Sequence, residues 1–129
     1  MAYPTDRKYT KEHEWIQADG NSAAIGITDY AQQSLGDIVF VEAPKVGAEL
    51  VAGKTFGTVE SVKAVSDLFA PASGTVTAVN AELANSPEKV NKDPHGSWIV
   101  KLALKNPSEL DALLSAADYE KFVAEEAGH

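Results

Sequence analysis

Short apolar runs separated by turn residues dominate the chain up to residue 104. The first two runs, within 9–19 and 22–27, are joined by Asp19-Gly20-Asn21 and predict an N-terminal β-hairpin. Strands this short and this closely spaced favour a β-sandwich or barrel over a parallel α/β sheet. Further runs have the β-branched or alternating pattern typical of strands, at 38–41, 56–59, 75–79 and 98–104.

One short helix is predicted in the N-terminal half of the chain. Thr28 has the side chain of an N-cap, and Asp29 follows in the first turn, where a negative charge interacts favourably with the helix dipole. We expect this helix to cover 30–35 and to end at Gly36. Segments rich in proline, asparagine and glycine indicate loops, at 85–87 and 92–96.

Two further helices are predicted after the last strand. Asn106 is a capping residue, with Glu109 three positions later, and Ser115 with Asp118 repeats that spacing. The last five residues, 125–129, are expected to fray. Apolar residues follow both caps at helical spacing: Leu110, Leu113 and Leu114 in the first helix, and Tyr119, Phe122 and Val123 in the second.

The composition narrows the chemistry that the chain itself can perform. Its 129 residues suit one domain, 1–129, with a core of about 7–124 and frayed termini. The sequence contains no cysteine, which excludes zinc–thiolate sites, iron–sulfur clusters, thiol nucleophiles and redox-active dithiols. A redox function would therefore require a cofactor to bring the sulfur or the electrons.

Acidic residues outnumber basic ones by 19 to 11, giving a formal net charge of −8. Nucleic acids and anionic membranes are poor partners for such a chain, because phosphate contact needs clustered lysine and arginine. Proteins with basic surface patches are more suitable partners for an acidic chain. Without a long apolar run or the apolar core of a secretory signal, a cytoplasmic protein is expected. We also expect it to be a monomer. The histidines lack metal-ligand spacing, so we expect no metal site.

The segment 60–67 is nearly palindromic about the Lys63–Ala64 bond. A two-residue hairpin centred on that bond would hold the lysine amine at its tip. Like charges directly opposite each other destabilise a sheet, so an acidic pair at the base of the hairpin indicates another use for the negative charge. The pairs predicted across the hairpin are Val62 with Val65, Ser61 with Ser66, and Glu60 with Asp67.

The hairpin and much of the remaining chain resemble the glycine cleavage system H proteins. The resemblance covers about 7–124 in the order of that family. The chain departs from the family pattern at Val65 and in the loop 94–98, which is shorter than usual and has His95 in place of tyrosine. The matching segments are 8–15, 25–28, 35–41, 59–67, 70–80 and 98–101.

The resemblance implies a mainly β, lipoyl-type flattened β-barrel sandwich with Lys63 as the lipoylated residue. The neighbouring Val62 and Ala64, with Glu60 and Asp67, would then form the hairpin that a lipoate ligase recognises. The chain would be a carrier and not an enzyme. It would take an aminomethyl group from a pyridoxal-phosphate glycine decarboxylase, present it to an aminomethyltransferase, and be reoxidised by dihydrolipoyl dehydrogenase.

Two acidic residues near the N-terminus are a further candidate site. On a strand, Glu12 and Glu14 would share one face. The resemblance implies that Glu14 lies beside a cleft that receives the loaded arm, where a carboxylate can hold a protonated amine. Glu12 is the second candidate.

Other carriers fit the hairpin less well. The lipoyl domains of 2-oxoacid dehydrogenases resemble an Asp-Lys-Ala turn, and biotin carriers resemble Met-Lys-Met, whereas Val62 and Ala64 flank the lysine here. The sequence does not separate a glycine-cleavage role from an H-like protein that donates lipoate to other proteins, or from an unmodified interaction module.

Overall fold

A computed structural model describes residues 3–127 of the chain as two antiparallel β-sheets with short helices. The strands are β1 (Lys8–Tyr9), β2 (Glu14–Asp19), β3 (Ser22–Ile27), β4 (Ile38–Glu42), β5 (Glu49–Leu50), β6 (Thr55–Ser61), β7 (Val65–Phe69), β8 (Gly74–Val79) and β9 (Val100–Leu104). Six of them form one sheet in the order β1-β2-β3-β9-β8-β5, and three form the other in the order β4-β6-β7. The expected mainly β, flattened sandwich is confirmed.

The helix in the N-terminal half forms as predicted. Helix α1 (Asp29–Leu35) begins after Thr28, whose side-chain oxygen accepts a hydrogen bond from the Ala31 N–H. It ends at Gly36, where φ is +79°, a conformation that glycine adopts without steric cost. Helix α1 thereby fixes the direction in which the chain enters β4.

Two helices of four residues each, α2 (Glu82–Asn85) and α3 (Lys89–Lys92), were not predicted. Only the last residue of each falls within a predicted loop, 85–87 or 92–96. Each has one buried apolar residue, Leu83 in α2 and Val90 in α3. A single helical turn is too short to show a hydrophobic period, and tertiary packing decides its conformation.

Of the two caps predicted for the C-terminal helices, the first does not form and the second does. Residues Pro107–Ala112 form a 3-10 helix, and Asn106 makes no side-chain capping bond. The Glu109 carboxylate accepts hydrogen bonds from the Ser73 N–H at 2.8 Å and the Ser73 hydroxyl at 3.1 Å. This long-range contact replaces the predicted capping box, so Glu109 ties the 3-10 helix to the chain entering β8.

The last helix, α4 (Ala116–Ala127), is capped as predicted, since the Asp118 N–H donates to the Ser115 hydroxyl at 3.2 Å. It continues through 125–127, which were expected to fray. Residues 128–129, also in the predicted frayed end, lie outside the described residues.

Two apolar clusters hold these elements together. The main core lies between the sheets and contains Ile25, Val59 and Leu102. A second cluster joins Tyr3, Tyr9, Trp15 and Tyr119, so α4 packs on the outside of the larger sheet. Tyr3, which precedes the expected core of about 7–124, is buried in this cluster.

Gly57 is expected to be essential for packing of β6. A Cβ at this position would collide with the main-chain carbonyl oxygen of Glu42 on β4. We expect Gly57→Ala to lower the free energy of unfolding by about 1–3 kcal/mol. Thr58→Ala is the matched control on the opposite, partly exposed face of β6, with an expected loss below ~1 kcal/mol. Denaturant unfolding measures both, and equal losses would contradict the assigned contact.

Candidate functional site

The hairpin formed by β6 and β7 has a different register from the predicted one. Glu60 lies opposite Val65, and Asp67 lies opposite Thr58. The predicted Glu60–Asp67 pair is therefore wrong. The two carboxylates are diagonal neighbours on one face, at a typical separation of ~7–8 Å between Cα atoms, and the cost of directly opposed charges does not arise. The pairs predicted for Val62 and for Ser61 are wrong for the same reason.

Ser61 sets the register. Its N–H donates to the Ala64 carbonyl oxygen at 2.8 Å, so Val62 and Lys63 are the two central turn residues. Its hydroxyl oxygen accepts from the Ala64 N–H at 3.1 Å and the Lys63 N–H at 3.3 Å. Neither central residue has a positive φ. The serine side chain thus closes a tight turn without the left-handed backbone of the common two-residue hairpin loops.

The turn presents Lys63 to solvent. Lys63 is exposed, and the flanking Val62 and Val65 are 70% and 65% exposed. The Val62 N–H donates to the Asp37 carbonyl oxygen at 3.0 Å, which fastens the tip to the connection between α1 and β4. Within residues 3–126, no acidic side chain forms an ion pair with Lys63. The amine is therefore accessible on a rigid support.

A second feature is a cavity of about 430 Å³ beside the start of β2. Glu14 and Glu12 both line it. They do not share a strand face, because β2 begins only at Glu14 and His13 has a φ of +71°. Glu14 is 1% exposed, whereas Glu12 is exposed. Apolar residues supply much of the remaining wall: Phe69, Ala70, Pro71 and Leu113.

Both carboxylate oxygens of Glu14 accept a hydrogen bond. Oε1 accepts from the Thr10 hydroxyl at 2.6 Å, and Oε2 accepts from the Phe69 N–H at 3.1 Å. Burial raises the pKa of Glu14 to about 7, while these two hydrogen bonds favour the anion and Glu12 opposes it. An acid that titrates near neutral pH at the side of an apolar cavity suits a cationic group carried on an apolar chain.

The raised pKa of Glu14 predicts a pH-dependent stability. Because folding favours neutral Glu14, wild-type stability relative to Glu14→Gln should be highest below pH 4.5 and fall until about pH 7. The total change is ~3 kcal/mol, since one pKa unit corresponds to 1.36 kcal/mol. Denaturant unfolding of both proteins across this range measures it. A constant difference would contradict burial of the titrating carboxyl.

Strand β7 connects the two features. Lys63 lies just before β7, and Phe69, whose N–H binds Glu14, ends it. The six residue steps from Lys63 to Phe69 span at most ~20 Å at about 3.3 Å per residue. The sequence contained no signal for Thr10 or Phe69 as partners of Glu14, because one bond depends on a local turn and the other joins residues distant in sequence.

The loop 94–98, which departs from the family pattern, has a structural role. The Pro94 carbonyl oxygen accepts from the Trp15 indole N–H at 3.1 Å. The Arg7 guanidinium donates to the His95 carbonyl oxygen at 2.7 Å, and the Asp29 N–H donates to His95 Nε2 at 3.2 Å. His95 thus joins the N-terminal segment to α1.

Comparison with known proteins decides the family. The sequence model of the glycine cleavage H-protein matches residues 7–126. The chain belongs to the glycine cleavage H-protein family. The glycine cleavage system H protein of Koribacter versatilis (strain Ellin345) is 74% identical over 129 residues, covering 100% of both chains. That of Carboxydothermus hydrogenoformans (strain ATCC BAA-161 / DSM 6008 / Z-2901) is 60% identical over 124 residues, covering 95% of both chains.

The fold agrees with that of a glycine cleavage H protein of known structure. The crystal structure of a glycine cleavage system H protein from Mycobacterium marinum matches with a TM-score of 0.85 and 38% identity, covering 97% of this chain and 99% of the other. In the part of this H protein that the structure describes, no helix is long and apolar enough to cross a membrane. The described residues also include no cluster of side chains suited to a metal ion.

Proposed function

We propose that this H protein carries its lipoyl group on Lys63. As a family member, the chain is the lipoyl carrier of the glycine cleavage system, and lipoate is its cofactor. The observation that supports Lys63 is its position at the centre of a tight turn, exposed and held by the hydrogen bonds of Ser61 and Val62. A rigid tip keeps the attachment point clear of the sandwich.

The same hairpin supplies the surface that a lipoate ligase recognises. Val62 and Ala64 flank the lysine with uncharged side chains. Glu60 and Asp67 lie on one face of the hairpin and give it a negative potential. They attract basic groups of a ligase while the lysine is still unmodified. Attachment of lipoate turns the amine into an amide, which removes its positive charge and supplies the dithiol chemistry.

Glu14 anchors the loaded arm, with Glu12 as a second, weaker contact. The cavity beside β2 offers apolar walls and carboxylates to a protonated amine. A charged amine gains a partner there, whereas an oxidised arm carries no charge to hold. The arm therefore docks when loaded and is released when oxidised, because the cavity binds the two states differently.

The chain acts as a single carrier domain, 1–129, and performs no catalysis of its own. The aminomethyl group comes from the pyridoxal-phosphate glycine decarboxylase and goes to the aminomethyltransferase. Dihydrolipoyl dehydrogenase then reoxidises the arm. The protein works as a cytoplasmic monomer, and its acidic surface with a net charge of −8 favours basic faces on these partners.

Reconstitution tests this function. The lipoylated chain, combined with purified decarboxylase, aminomethyltransferase and dihydrolipoyl dehydrogenase, should support glycine cleavage. The unlipoylated chain should support none. A lipoylated chain that fails to support cleavage but transfers its lipoyl group to another lipoyl domain would identify it as a lipoate donor.

A further inference from the structure

The turn before β2 surrounds one hydroxyl group with hydrogen-bond partners. The Thr10 hydroxyl oxygen accepts from the Glu12 N–H at 3.2 Å and from the Glu14 N–H at 3.1 Å. It also lies 2.6 Å from Glu14 Oε1. The hydroxyl has two lone pairs and one proton. Because two main-chain donors occupy the lone pairs, the proton is left to donate to the carboxylate.

The second oxygen of Glu14 faces an equally fixed donor. The Phe69 N–H lies 3.1 Å from Oε2 and can only donate. Each carboxylate oxygen therefore has one donor that cannot change its role. A pair of fixed donors stabilises the anion relative to the protonated acid.

The backbone of the turn restricts movement of Thr10. The Thr10 N–H donates to the Glu14 carbonyl oxygen at 3.0 Å, and the His13 N–H donates to the Thr10 carbonyl oxygen at 3.1 Å. His13 has a left-handed φ of +71°, which is rare for a residue other than glycine. The His13 ring contacts α4, where Nδ1 lies 2.7 Å from the Tyr119 hydroxyl and Nε2 lies 3.0 Å from a Glu126 oxygen. These contacts of His13 with α4 further restrict the movement of the turn.

The other charged groups at the cavity are acidic. Glu12 belongs to the same turn, and Glu109 faces the cavity from the 3-10 helix, where both of its oxygens accept from Ser73. The residues that β7 and the following chain contribute, Phe69–Pro71, are uncharged. No basic residue lines this cavity in the described part of the chain. Local hydrogen bonds therefore have to oppose the effect of burial on Glu14.

We propose that Thr10 is a positioning residue, whose hydroxyl favours the anionic form of Glu14 and aims its carboxylate at the cavity that receives the loaded arm. The docking of the loaded arm at this cavity rests on the proposed function, whereas the effect of Thr10 on Glu14 does not. The hydroxyl fixes Oε1 on the side of the turn and leaves the outward lone pairs of the carboxylate for a cationic guest. The methyl group of Thr10 has no part in this role, so a serine at position 10 should support Glu14 equally well.

NMR titration of the unlipoylated protein tests the proposal directly. The Glu14 side-chain carboxyl carbon reports its ionisation as a function of pH. Thr10→Val should raise the measured pKa by ~1 unit or more, because a hydrogen bond to a charged group is lost. Thr10→Ser should titrate like the wild type. Thr77→Val is the matched control, since Thr77 is exposed on β8 and its hydroxyl donates to the Lys101 carbonyl oxygen.

A measurement on the wild type covers the case in which Thr10→Val alters the fold. The Thr10 hydroxyl proton should exchange slowly, and its chemical shift should follow the Glu14 titration with the same midpoint. Two results would overturn the positioning role. The first is a Thr10 hydroxyl chemical shift that does not change as Glu14 titrates, and the second is an equal change in the pKa of Glu14 in Thr10→Val and Thr10→Ser.

A measurement on the loaded protein separates the two proposals. Thr10→Val should shorten the lifetime of the aminomethyl group, as Glu14→Ala should. If the NMR result holds but neither substitution changes that lifetime, Thr10 positions Glu14 and the docking of the arm at this cavity is wrong.

Discussion

Lys63→Arg is expected to fold like the wild type and to lose all carrier activity. Residue 63 is exposed at the centre of a turn, and arginine keeps its charge and much of its length. A guanidinium cannot form the amide that attaches lipoate. Glycine cleavage in the reconstituted system should therefore fall to the level without H protein, while the unfolding midpoint stays unchanged.

Lys54→Arg is the matched control for this prediction. Lys54 is also exposed and lies in the turn just before β6. Its substitution should leave lipoylation and carrier activity intact. Retained activity in Lys63→Arg, or an equal loss in Lys54→Arg, would contradict Lys63 as the attachment point.

Moving the lysine tests whether the shape of the turn matters. In the double variant Val62→Lys with Lys63→Val, the amine stays in the turn but leaves from a different position relative to the strands. The main-chain bond from residue 62 to Asp37 does not depend on the side chain, so the turn should keep its shape. Lipoylation should nevertheless fall sharply if the ligase requires the amine at position 63. Normal modification of this variant would show that any exposed lysine at the tip suffices.

Glu14→Ala is expected to shorten the lifetime of the loaded aminomethyl group about tenfold or more. The group is protonated near neutral pH, and the cavity beside β2 offers it a carboxylate away from bulk water. A charge-assisted hydrogen bond contributes about 1.5–3 kcal/mol, which corresponds to roughly tenfold or more in docking. The measurement is the release of the aminomethyl group over time from the isolated loaded protein.

Glu12→Ala is the comparison for the same experiment. Glu12 lines the same cavity but is exposed, so water screens its charge. We expect a smaller loss than for Glu14→Ala. Equal lifetimes for wild type and Glu14→Ala would remove Glu14 from the site, and equal mobility of the loaded and oxidised arms would exclude docking.

The sequence predicted correctly those helix ends that are determined by residues within the helix or next to it. The side chain of Thr28 and the left-handed Gly36 define the ends of α1. Ser115 caps α4, although the helix runs further than its apolar pattern indicated. The 3-10 helix begins where predicted but ends at Ala112, so Leu113 and Leu114 lie beyond it, and Leu114 forms a β-bridge with Tyr9. Its predicted capping box is absent, because Glu109 binds Ser73 instead of the backbone near Asn106.

The geometry of the candidate site depends on hydrogen bonds that no local sequence pattern predicts. The palindrome around Lys63 identified the hairpin but gave the wrong register, because the bonds of the Ser61 hydroxyl outweigh the matching of side chains across the strands. Glu12 and Glu14 both line one cavity. The strand face that they were expected to share does not exist, because the left-handed backbone of His13 separates them. The bond from Phe69 to Glu14 spans 55 positions, and no local pattern encodes it.

Peptide mapping of the wild-type chain after lipoylation tests the central claim most directly. The protein is lipoylated in a lipoate-sufficient host, digested, and analysed by tandem mass spectrometry. We expect one lipoyl amide per chain, located on Lys63, with Lys45 and Lys54 unmodified. A lipoyl adduct on Lys45 or Lys54, or a fully unmodified Lys63 in a chain that supports glycine cleavage, would contradict it.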